Sequence, residues 1–104
     1  GYCTKYGDNA ADVQPIIHLQ KTQVWDLART LGIPARLLEK TPSAGLWQNQ
    51  TDEDELGMKY AVIDEAIRNL EKQGWEQKSP DEERVLEKSK RAGHKQRPAF
   101  QVKR

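Results

Sequence analysis

The sequence is poor in the residues that build a covalent framework or a large core. It has one cysteine, Cys3, and one phenylalanine, Phe100. No apolar run approaches the roughly 20 residues that a membrane helix needs. A lone cysteine excludes an internal disulfide, and no Cys or His pairs stand at zinc spacing. These absences suit a reducing, cytoplasmic setting. The opening Gly1-Tyr2-Cys3-Thr4-Lys5 also lacks the hydrophobic segment of a signal peptide. It has no methionine, as expected of a processed or truncated chain. An excess of one charge is missing too. Lys plus Arg at 17 nearly cancels Asp plus Glu at 16, which removes the self-repulsion that keeps disordered chains open. Leu, Ile, Val and Phe make up about a fifth of the chain, so its 104 residues should form one small domain with a thin core. Such a domain leans on a partner or on further sequence.

What is present is mainly helical. Residues 1–18 carry Gly7-Asp8-Asn9, Asp12 and Pro15 and read as a shaped loop. Val24, Leu27, Ala28 and Leu31 follow the i, i+3, i+4, i+7 rule, predicting a helix over about 20–31 that Gly32 and Pro34 end. Pro34 then opens a short helix, Ala35 to Lys40, with Leu37 and Leu38 facing inward. Residues 41–51 have neither period but hold Trp47, which predicts an ordered loop with Leu46 or Trp47 inserted between helices. A short acidic turn, capped by Thr51 or Asp52, runs to Leu56 and stops at Gly57. Tyr60, Ile63, Ile67 and Leu70 predict a helix over 59–73, stopped by Gly74. Ser79-Pro80-Asp81-Glu82 has the capping-box pattern and starts a helix to about Ala92, before Gly93. Beyond Glu87 only basic residues carry charge, so the last helix and the 94–104 basic tail read as one basic arm, with Pro98 to Arg104 a loose terminus.

Two stretches go beyond a generic helical protein. They are Gly1-Tyr2-Cys3-Thr4-Lys5-Tyr6-Gly7-Asp8, and Pro42-Ser43-Ala44-Gly45-Leu46-Trp47 followed by Gln50-Thr51-Asp52-Glu53-Asp54-Glu55-Leu56-Gly57. With a closing His94-Lys95 pair, their order resembles the carboxy-terminal part of NAD synthetases. The resemblance implies a mainly α piece of an α/β, Rossmann-like, adenine-nucleotide α-hydrolase-like fold. It implies a ligase that activates deamido-NAD with ATP and Mg2+ to an acyl-adenylate and then adds ammonia. Carried over by position, it implies Lys5, Asp12, His94 and Lys95 for deamido-NAD, and Lys21 and Ser43 for ATP. No metal ligand and no catalytic residue are implied within these residues. The family's Ser-Gly-Gly-x-Asp-Ser pyrophosphate loop, its upstream metal-binding acid and its parallel sheet are absent. The chain is therefore expected to be inactive alone, and to pair with a missing amino-terminal half or as a homodimer.

Each implied role has a plain structural alternative. Lys5, Asp12 and Lys21 could be solvated surface, Ser43 a turn residue, and His94 with Lys95 tail charge. Lys21 in a first helical turn opposes the dipole, which hints at a bound anion. Trp25, Trp47 and Trp75 read most simply as packing residues, and Asp52 to Glu55 as dipole-favoured acids. Asn9 and Ala10 stand where the family has glycines, and Ala10 adopts left-handed geometry poorly. His18, Gln20 and Lys59 replace the family's cap and contact residues. A rival reading is a binding module whose basic arm meets a polyanion, although Phe100 alone interleaves it; another is a piece that pairs with its own copy. Steep salt dependence would mark the polyanion binder.

Overall fold

The apolar periods place the helices where expected. The computed structural model describes residues 1–99, 101 and 102, and among them there are five α-helices and no strand. They are α1 Lys21–Thr30, α2 Ala35–Leu38, α3 Asp52–Leu56, α4 Tyr60–Lys72 and α5 Pro80–Ala92. Two 3-10 turns, Asp8–Ala10 and Gly93–Gln96, complete the order. Phe100, Lys103 and Arg104 of the expected basic tail lie outside the described residues.

The core sits between α4 and α5. Met58, Ala66, Leu70 and Val85 are buried, and Val62, Ile63, Ile67 and Leu86 pack around them. Leu70 is fully buried, at 0% exposure. A leucine buried to that degree contributes about 1.5–3 kcal/mol. Gly74, at φ +64°, reverses the chain after α4, and the Trp75 amide then donates to Leu70 O at 2.7 Å. That bond is the six-to-one closure of a helix whose next residue is left-handed. At the start of α5, Ser79 Oγ accepts from Glu82 N at 3.3 Å, as the capping-box pattern requires. The returning arm differs: the buried Glu82 carboxylate accepts from Lys78 N at 2.7 Å, satisfying the amide ahead of the cap.

Several sequence expectations are corrected. The α1 stripe buries nothing completely: Val24 and Ala28 are half-buried, while Leu27 and Leu31 face outward. Only Ala35–Leu38 forms α2, and of its two leucines Leu38 is half-buried and Leu37 exposed. Leu46 and Trp47 are 69% and 57% exposed and do not insert between helices. The 41–51 loop is instead held by polar bonds. Trp75 is exposed as well, so of the three tryptophans only Trp25 packs, edge-on to Tyr60 with centroids 6.3 Å apart. Asn9 and Ala10 lie in a 3-10 turn with negative φ, so Ala10 needs no left-handed geometry. Gly93 does not end the chain's winding. α5 does end at Ala92 as expected, and Gly93, at φ −57°, continues into the 3-10 turn that carries His94 and Lys95 of the basic tail.

The replaced caps are supplied by a residue of α1 itself and by residues of other elements. Gln23 Oε1 accepts from Gln20 N at 2.8 Å, and the Gln20 side chain accepts from Arg68 at 3.2 Å. The buried Asp64 of α4 accepts from Thr22 N at 2.7 Å, so α1 is capped by the helix on which it docks. Lys59 offers no cap to α4, but Glu53 Oε1 accepts from Tyr60 N at 3.1 Å.

Candidate functional site

The first loop and the end of the chain are fastened together. Lys95 Nζ donates to Gly1 O at 2.9 Å, and Asn9 Nδ2 donates to Lys95 O at 3.3 Å. Gln14 Nε2, donating to Asp8 O at 2.9 Å, braces the loop behind them. This docking brings Lys5 and His94 onto one hollow of about 500 Å³, which Arg97, Pro98, Ala99 and Gln101 also line. Lys5 Nζ lies 5.6 Å from the centroid of the Tyr6 ring, whose face steadies its charge. His94 Nδ1 is 2.9 Å from Arg91 O. A carbonyl only accepts, so Nδ1 carries a proton and donates to it, leaving Nε2 free to face the hollow. Lysine, arginine and a histidine at one hollow offer charge and hydrogen bonds to a phosphate or carboxylate.

The other candidate residues lie elsewhere. Asp12 is exposed and does not line this hollow. Lys21 is half-buried at the start of α1, its ammonium 5.6 Å from the Tyr60 ring and 6.0 Å from the Trp25 ring. The two ring faces offset its unfavourable place at the positive end of a helix, and Asp64 occupies the adjacent amide. Ser43 sits in the 41–51 loop. Its hydroxyl donates to Gln50 Oε1 at 2.8 Å and accepts from Gly45 N at 3.0 Å.

The acidic turn is engaged internally. Asp52 Oδ2 accepts from the Tyr60 hydroxyl at 3.0 Å, and Glu55 accepts from the Tyr2 hydroxyl and, at 2.5 Å, from Gln50 Nε2. The bond to Glu55 pushes the Tyr2 phenol up to about 12. Burial, and then the bond to Asp52, pushes Tyr60 higher than the ordinary phenol range. Among the described residues no three His, Cys, Asp or Glu side chains converge as a metal site.

Gln50, Tyr2, Tyr60 and Asp64 are structural residues of this region that the sequence reading passed over. A signal existed for Asp64: with Tyr60, Ile63 and Ile67 it completes the i, i+3, i+4, i+7 set, so a carboxylate stands on an apolar stripe. Gln50 had none beyond its place beside Thr51, because its partners Tyr2 and Gly45 depend on loop shape.

The chain is similar to known proteins in sequence and in fold. The family described as NAD synthase matches residues 1–99. An NH(3)-dependent NAD(+) synthetase from Methanoregula boonei is 58% identical over 95 residues, covering 91% of this chain and 38% of that protein. One from Thermoplasma volcanium is 45% identical, covering 98% of this chain and 42% of its own. Among solved structures, NMN synthetase from Francisella tularensis superposes with a TM-score of 0.79 at 43% identity, over 98% of this chain and 41% of that one. The chain thus spans about two-fifths of the length of these relatives, 38% to 42% in the three cases. Similarity across so much of the chain, in sequence and in helix arrangement alike, makes it a member of the NAD synthase family.

Proposed function

We propose that these residues form the carboxy-terminal part of a carbon–nitrogen ligase that converts deamido-NAD, ATP and ammonia to NAD, AMP and pyrophosphate. ATP activates the nicotinate carboxylate as an acyl-adenylate, and ammonia displaces AMP from it. The observation that carries this reading is the hollow where Lys5 and His94, 89 positions apart in sequence, meet with Arg97. A cationic hollow suits a dinucleotide bearing phosphates and a carboxylate. In this reading Lys5, Asp12, His94 and Lys95 serve deamido-NAD, and Lys21 and Ser43 serve ATP. Lys95 acts partly through the Gly1 carbonyl it fastens. Ammonia as the nitrogen source follows the names of the relatives from Methanoregula boonei and Thermoplasma volcanium.

Magnesium enters with ATP as part of the substrate. The Asp52 and Glu55 carboxylates, held by Tyr60, Tyr2 and Gln50, do not fit a magnesium site. The exposed apolar side chains Val13, Ile17, Leu31, Leu37 and Leu46 are covered by the remaining chain or a second copy in the assembled, cytoplasmic enzyme. The full-length protein should form AMP and NAD in equal amounts, while residues 1–104 alone should form neither. NAD formation by the isolated residues, or none by the full-length protein, would refute the proposal.

The relation to an NMN synthetase favours one second reading, in which the acceptor is the nicotinate mononucleotide. Comparing kcat/KM for deamido-NAD and for the mononucleotide in the same assay separates the two.

A further inference from the structure

Gln50 is 5% exposed, and its amide meets four partners. Oε1 accepts from Ser43 Oγ at 2.8 Å and from Gly45 N at 2.9 Å. Nε2 donates to the Tyr2 hydroxyl at 2.8 Å and to Glu55 Oε2 at 2.5 Å. The orientation of this amide follows from its neighbours. A backbone N–H can only donate and a carboxylate only accept, so the oxygen faces Gly45 and the nitrogen faces Glu55. One buried side chain thus joins the loop bearing Ser43 to the loop bearing Tyr2 and Lys5. Tyr2 in turn donates to Glu55, which closes the triangle.

We propose that Gln50 is a positioning residue for the nucleotide: it sets the Pro42–Gly45 turn that presents Ser43 and ties that turn to the first loop through Tyr2. Ser43 has one hydroxyl hydrogen, and Gln50 holds it. To donate to a phosphate oxygen the hydroxyl must rotate away from Gln50. The Gly45 amide, which donates to both Ser43 Oγ and Gln50 Oε1, then keeps its bond to Gln50. The turn therefore keeps its shape while the hydroxyl changes partner. This assignment rests on the ATP role of Ser43 proposed above.

The test uses the full-length enzyme carrying Gln50→Met, Ser43→Ala, both together, or Tyr2→Phe. Rates are measured against ATP and ammonia separately, and amide exchange of residues 42–50 without substrate. Gln50→Met should raise KM for ATP about tenfold and leave KM for ammonia within about twofold. Ser43→Ala should raise KM for ATP severalfold in the wild type but less than about twofold in the Gln50→Met background, because the pair acts as a unit. Penalties that multiply independently, or an unchanged KM for ATP, would overturn the proposal. Should Gln50→Met not fold, Tyr2→Phe decides: its ring lies at the surface, and KM for ATP should still rise about threefold by loss of the bridge, whereas no change sinks it. Should the wild type form no NAD, the functional reading fails, and exchange alone decides the bridge. Faster exchange at Gly45 in Gln50→Met supports it, and unchanged exchange overturns it.

Discussion

Two side chains show how much single residues carry in a chain with so little core. Asp64 is buried and accepts the Thr22 amide, joining α4 to the first turn of α1. Asp64→Ala leaves that amide without its partner and should cost about 1–3 kcal/mol, read as a lower midpoint in urea unfolding. The Tyr2 phenol, held up to about 12 by Glu55, gives a pH signature. An unfolded tyrosine ionises near pH 10, so the folded state binds the proton more tightly than the unfolded one between about 10 and 12. The stability from this bond is intact below about pH 10 and is lost as pH rises toward 12. Tyr60, pushed up by burial and by Asp52, loses its contribution in the same direction. Unfolding midpoints measured from pH 9 upward should fall, and should fall less steeply in the Tyr2→Phe, Tyr60→Phe double variant.

At the scale of elements, α4 and α5 hold the chain and α1 rests on α4. Leu70→Ala, in the fully buried heart of α4, should cost about 2–5 kcal/mol. Leu27→Ala, on the outward side of α1, should cost about 1 kcal/mol or less in the same melting experiment. The 3.6-residue period made α1 and α4 legible, the capping-box pattern made α5 legible, and glycine chemistry gave the stop after α4. The period does not say which part of a stripe is covered when the covering surface belongs to another segment, so Leu27 and Leu31 were misassigned to the core. The 41–51 loop was legible as ordered, but its order comes from Ser43, Gln50 and Gly45 rather than from Trp47. Local propensity has no access to such bonds, because they join loops that meet only in three dimensions. The caps followed the same rule: His18, Gln20 and Lys59 are poor caps in sequence, yet Gln23, Asp64 and Glu53 satisfy the amides they leave open.

For the whole molecule, the two ends of the sequence meet at one place. The first loop and the last 3-10 turn lie at opposite ends of the sequence, and bonds from Lys95 and Asn9 bring Lys5 and His94 to the same hollow. Lys21 and Ser43, also named by the motifs, stand on other elements, at the start of α1 and in the 41–51 loop. Asp12 was equally legible as a motif residue but stands apart from the hollow, since its loop turns it to the surface. Within the described residues no helix is long and apolar enough to cross a membrane. The proposed role of the hollow at Lys5 is to receive the dinucleotide acceptor of an ATP-dependent amidation. The direct measurement is the steady-state rate of NAD formation by the full-length enzyme with Lys5→Ala, varied against each substrate. KM for deamido-NAD should rise about tenfold or more, with KM for ATP within about twofold of the wild type. An unchanged KM for deamido-NAD in an enzyme that still turns over would contradict it.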